Sequence, residues 1–192
     1  MKFPSNKNKS KTNKQKKSIY ILLTRFDDGG AKLLRALTGC YYTHASIGLE
    51  EDMNTFYSFV YKGFIVEQIT RYIKPDNPPN PCELYKLEVC EKTYKRVKKM
   101  IHSFVEAKGK FRYTKLGVAR CLFGIVHKEK LSYFCSYFVA DVLKKCGAVC
   151  IEKNSSLYLP GDFRKLDRLS LDFKGNLLTF AQHFGIIPYP AH

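Results

Sequence analysis

An α+β fold, with an antiparallel sheet packed against helices, is predicted by three observations. The first half of the chain is a series of short β-prone runs. Short turns rich in Gly, Asp and Glu join those runs in hairpin fashion. The second half changes to apolar residues at helical spacing. The length of 192 residues suits one domain with a tail.

Ser18–Thr24 (SIYILLT) is a continuous β-prone run and predicts a buried strand. Asp27-Asp28-Gly29-Gly30 is a turn. Ala31–Leu37 follows with Leu33, Leu34 and Leu37 at helical spacing. Thr43–Leu49 (THASIGL) predicts a second strand, beginning at His44, and the acidic Glu50-Glu51-Asp52 run a hairpin loop. Thr55–Tyr61 and Phe64–Ile69 predict two more strands around the Lys62-Gly63 turn. Pro75, Pro78, Pro79 and Pro81 mark a rigid loop between the halves, and Glu83–Val89 alternates as a strand.

Glu91–Ala107 predicts an amphipathic helix, with Tyr94, Val97, Ile101, Phe104 and Val105 on one side and lysines on the other. Leu116–Val126 predicts another. The strongest helical pattern is Phe134–Cys146, where Cys135, Phe138, Val139, Val142, Leu143 and Cys146 share one face. Lys144 and Lys145 suit its last turn, and Gly147 suits the position after it. A Pro160-Gly161-Asp162 turn leads into a short helix. A polar strand or loop and an apolar end, Leu177–Pro188, complete the chain.

Charge is uneven. The formal net charge is +16, and residues 1–17 carry seven lysines and no acid, leaving +9 for the remainder. That Lys-, Asn- and Ser-rich stretch cannot bury apolar surface and reads as a disordered tail ahead of one domain at 18–192. Such a tail either solubilises the protein or makes weak contact with nucleic acid or an anionic membrane. The basic start MKFPSNKNKSK has no apolar stretch behind it, so no export signal is read. The seven cysteines are odd in number and contain no CxxC pair, which argues against a disulfide framework and a structural zinc site. A reducing cytoplasm is the expected compartment, and no metal or organic cofactor is called for.

Cys135 falls at the start of the best-defined helix. Free N–H groups and a partial positive charge at a helix N-terminus favour a thiolate, the reactive form of cysteine. The same N–H groups can hold an oxyanion. His44 opens a strand, where a general base is held rigidly. The other histidines fall on a polar helix side (His102), in a Lys-rich loop (His127) or near the C-terminus (His183, His192). A third polar group would orient the imidazole, and Glu67 and Ser58 on neighbouring strands are equal candidates. Tyr42, Tyr113 and Tyr137, with Tyr41, could line a substrate pocket.

These pieces, SIYILLTR, THASIGLEED, TFYSFVYKGFIVEQI, FRYTKLGV and FCSYFVADVLKKCGAV, resemble the circularly permuted branch of the NlpC/P60 superfamily. In that papain-like branch the strand-borne His precedes the helix-borne Cys. SLYLPGDFRKL is similar to the segment after the Cys in uncharacterised bacterial YiiX-like members. The resemblance covers roughly residues 18–175 and implies a Cys–His–polar catalytic set on a permuted papain-like fold, with Cys135 and His44 matching directly. Lecithin retinol acyltransferase relatives carry a second His soon after the first. Phe56-Tyr57-Ser58 stands in that neighbourhood here. The expected activity is that of a cysteine hydrolase or acyltransferase. Its substrate would be a small molecule, peptide or lipid with an amide (peptide or γ-glutamyl) or ester bond. The alternative is a silent papain-like module that binds an anionic partner through its basic surface.

Overall fold

The computed structural model describes residues 16–74 and 79–189. Pro75, Pro78 and most of the Lys-rich tail therefore lie outside the described residues. Five strands come first among the larger elements: β1 (Lys16–Thr24), β2 (His44–Leu49), β3 (Thr55–Val60), β4 (Gly63–Gln68) and β5 (Pro81–Cys90), with α1 (Gly29–Thr38) between β1 and β2. Helix α2 (Glu91–Glu106), β6 (Arg112–Tyr113), α3 (Lys115–Leu122), β7 (Ser132–Tyr133) and α4 (Cys135–Lys145) follow, and β8 (Ser170–Asn176) and α5 (Leu177–His183) close the chain. The main sheet runs β4-β3-β2-β1-β5-β8, and every neighbouring pair is antiparallel. Strands β6 and β7 form a separate two-residue parallel ladder.

β1 is central, which explains its unbroken apolar run. Its alternate side chains enter two different cores. Ile19, Ile21 and Leu23 face a core shared with Val97, Ile101 and Phe104 of α2 and Phe138, Val139 and Val142 of α4. Leu22 faces the opposite side, where Phe56 and Leu84 meet Phe180 and Ala181 of α5. Fully burying a side chain such as Phe138 contributes roughly 1.5–3 kcal/mol. Gly48 is required on the second face: a Cβ there would sit 2.6 Å from Cε1 of the buried Phe56 ring.

The structure departs from the sequence reading at several boundaries. β1 starts two residues early, because Lys16 and Lys17 pair with Cys90 and Val89 of β5. Their ammonium groups meet Glu88 at 2.8 Å and Glu50 at 2.6 Å, so the two lysines belong to the strand. α1 gains a turn because Asp28 caps it, accepting from the Ala31 N–H at 2.8 Å. α3 ends at Leu122, four residues before the predicted end, where Gly124 turns the chain at φ +70°. The turn at Pro160 leads into a 3-10 segment, Pro160–Lys165, and the polar stretch after it pairs with β5 as an edge strand. Among the described residues, no helix is long and apolar enough to cross a membrane.

Candidate active site

The first turn of α4 carries Cys135 at its first helical position. Its N-cap, Phe134, makes no side-chain cap hydrogen bond. The leading N–H groups are therefore free of a capping side chain, and that of Ser136 is turned to the Cys135 sulfur instead. Cys135 itself is buried, at 9% exposure. Its neighbour Ser136 fixes the turn by donating its hydroxyl to the Tyr158 carbonyl at 2.6 Å. α4 packs on the face of β2 that carries Ala45 and Ile47, which brings its N-terminus to the beginning of that strand.

His44 is held from both ends. It pairs with Thr24 across the β1–β2 ladder, and the Thr43 N–H donates to the Thr24 carbonyl at 3.1 Å. The Thr43 hydroxyl accepts from the Phe26 N–H at 3.0 Å, and the Phe26 ring lies 5.5 Å from the imidazole. Nε2 of His44 lies 2.6 Å from Oε1 of Glu67, and both side chains are buried. Glu67 stands on β4 opposite Phe56, on the same face as His44. The Tyr72 hydroxyl also donates to Glu67. With Nε2 committed to the carboxylate, Nδ1 is the ring nitrogen left for the Cys135 thiol, with which His44 forms a side-chain hydrogen bond.

The electrostatics follow from these contacts. Burial opposes charge on His44, but the Glu67 carboxylate and the Cys135 sulfur outweigh it and raise the imidazole to about 10. Burial also pushes the Cys135 thiol up. The His44 hydrogen bond and charge, together with the N–H groups of Ala45 and Ser136, overcome that and hold it below the ordinary thiol value. Sulfur as thiolate and ring as imidazolium is the state the surroundings favour.

Ser58 does not join this set. Its hydroxyl donates to the Ala45 carbonyl at 2.7 Å. β2 and β3 pair only at Ile47–Tyr57 and Gly48–Phe56, so the hydroxyl serves a backbone acceptor just past the paired stretch. Between the two equal candidates, the geometry selects Glu67.

Of the predicted pocket tyrosines, Tyr113 alone keeps an electrostatic contact with Cys135, whose charge adds to burial in raising its phenol. Tyr137 stands two positions after Cys135, about 200° around the helix, and stacks on Tyr133 with ring centroids 4.6 Å apart. Tyr42 is core: its hydroxyl bonds Glu83. That fully buried carboxylate also accepts from Tyr85 at 2.8 Å and meets Arg164 at 3.2 Å and Lys174 at 3.3 Å. Tyr41 is 48% exposed and lies under the Arg25 guanidinium. Tyr72, Phe26 and the Ala45 N–H are members of the site that no sequence pattern marked. Among the described residues, no cluster of three or more His, Cys, Asp or Glu side chains is placed to hold a metal ion.

A scan against protein-family models finds no match, and a search of curated proteins finds none either.

Proposed function

We propose that the protein is a cysteine hydrolase or acyltransferase acting on an amide or ester, with Cys135 as nucleophile, His44 as acid–base and Glu67 as the positioning residue. The observation that carries this reading is the buried chain of hydrogen bonds from Glu67 through His44 to a thiol at a helix N-terminus. An uncompensated buried carboxylate and imidazole are costly, and their joint action here is to stabilise a thiolate. The chain order, strand-borne His44, then Glu67, then helix-borne Cys135, supports a permuted papain-like topology for the antiparallel sheet and its helices.

In the proposed reaction the Cys135 thiolate attacks the carbonyl carbon, and the carbonyl π electrons move onto oxygen. The Cys135 N–H, at the head of α4, faces the developing oxyanion. The tetrahedral intermediate collapses, the bond to the leaving nitrogen or oxygen breaks, and the His44 imidazolium gives that atom its proton. A thioester on Cys135 remains. Water, or an acceptor nucleophile in a transfer, gives its proton to neutral His44 as it attacks the thioester, and thiolate and imidazolium are restored.

The experiment is intact-mass analysis of the full chain with electrophilic acyl and peptidyl probes, alongside Cys135→Ala and His44→Ala. A single acyl adduct that vanishes in Cys135→Ala and is strongly slowed in His44→Ala supports the enzyme. Adducts distributed over several cysteines, or none, overturn it and leave the anionic-binding module as the reading.

A further inference from the structure

The segment from Lys108 to Leu131 combines two features. It holds seven Lys or Arg residues against one acid, Glu129, whose carboxylate is engaged by Arg120 at 3.5 Å. It also holds four of the exposed large apolar side chains among the described residues: Leu116 at 53%, Phe123 at 81%, Ile125 at 55% and Leu131 at 51%. Leu116 and Phe123 are seven residues apart, two helical turns, so they fall on one face of α3 and its cap. The opposite face is the buried one, with Gly117 and Cys121.

The apolar tip is rigidly displayed. Phe123 caps α3, and Gly124 adopts φ +70°. The Ile125 N–H closes back on the Arg120 carbonyl at 2.8 Å and the Gly124 N–H on the Cys121 carbonyl at 3.1 Å. This is the hydrogen-bonding pattern of a Schellman turn, in which the residue after glycine usually packs back on the helix. Here that residue is Ile125, and it stays out in solvent. An ordered turn that holds Phe and Ile outward leaves apolar surface uncovered at a fixed place.

The helix that presents this face borders the candidate active site. The thiol of Cys121, on its buried side, donates to the Tyr158 carbonyl at 3.9 Å, and the hydroxyl of Ser136, next to Cys135, donates to the same carbonyl. Tyr113, which senses Cys135, lies immediately before the Thr114 cap of α3.

We propose that this face of α3, with the Phe123–Ile125 turn, docks on an anionic lipid bilayer. Apolar side chains ringed by cations suit the boundary between acyl chains and phosphates: Leu116, Phe123 and Ile125 enter it while Lys115, Lys128 and Lys130 meet the headgroups. Three of the four exposed apolar residues are aliphatic and offer no stacking surface, so single-stranded nucleic acid fits the face poorly. The proposal does not depend on catalysis by Cys135 and would hold for a silent thiol.

The test uses the full chain, Lys-rich start included, with vesicles of phosphatidylcholine alone and of phosphatidylcholine mixed with phosphatidylglycerol. The protein should sediment with the anionic vesicles only, and less so as salt rises. Phe123→Ser with Ile125→Ser should weaken partitioning about tenfold or more, with the tail unchanged. Lys128→Glu with Lys130→Glu, which leaves the apolar tip intact, should weaken it as well. The chain has no tryptophan, so Phe123→Trp supplies a single reporter whose emission should shift to the blue on anionic vesicles. Equal binding by the double serine variant would assign the attraction to the tail and overturn the proposal. So would an unshifted emission from the Phe123→Trp protein, or capture of a single-stranded RNA oligonucleotide in preference to vesicles.

Discussion

Nε2 of His44 and Oε1 of Glu67 stand 2.6 Å apart in a buried setting, and the Cys135 thiol engages the same ring. His44 therefore offsets the burial that would otherwise keep the thiol protonated. In His44→Ala, burial acts with little opposition. The pH profile of iodoacetamide labelling at Cys135 should then move from below the ordinary thiol value to above it. Peptide mapping of the labelled cysteines at several pH values checks this.

The reactive ion pair exists in the window above the lowered Cys135 value and below about 10, where His44 gives up its proton. Acylation should rise as pH climbs through the first limit and decline through the second. Glu67→Gln keeps a hydrogen-bond acceptor but removes the charge that raises His44. Its alkaline limb should move to lower pH, and its acylation rate should fall on the order of a hundredfold. A profile unchanged in that variant would remove Glu67 from the set.

Ser58→Ala provides the contrast. Its hydroxyl serves the Ala45 carbonyl. Chemical denaturation should show a loss of about 1–2 kcal/mol, while the limits of the pH profile stay in place.

Glu83 draws two tyrosine hydroxyls and two cations into the sheet. Glu83→Ala should destabilise the fold by roughly 1–3 kcal/mol, because it leaves the buried Tyr42 and Tyr85 hydroxyls without their acceptor. Lys174→Ala should cost less than about 1 kcal/mol, since that side chain is 64% exposed. Comparable losses in the two variants would contradict this account.

Gly48→Ala drives a methyl group into the Phe56 ring, which has 0% exposure and no room to retreat. A loss of about 1–3 kcal/mol is expected in urea titrations.

Periodicity made part of this legible in advance. The face of α4 carries Cys135 to the start of a helix whatever the rest of the chain does, and a β-prone run places His44 at a strand end. The choice between Ser58 and Glu67 was not legible. Both stand on one face of adjacent strands, and what separates them is where the β2–β3 ladder ends. Phe26 and Tyr72 come from an irregular segment after β1 and a 3-10 segment, which have no period to read. Helix geometry alone separates Tyr137 from Cys135 by about 200° around α4, and its stacking on Tyr133 is a tertiary contact that no pattern announces. The two-residue β6–β7 ladder is too short for any alternation to register.

The hydrogen-bonded set is split along the chain. In the sequence His44 and Glu67 precede the residues between Tyr72 and Pro81, and Cys135 follows them. A chain cut between Tyr72 and Pro81 would put the base on one fragment and the sulfur on the other, held together by the β1–β5 ladder and the core on either side of it. Neither fragment alone would hold a lowered-pKa thiol. The rate of thiol capture would then count reassembled molecules, and the protein would act as a split reporter of its own complementation.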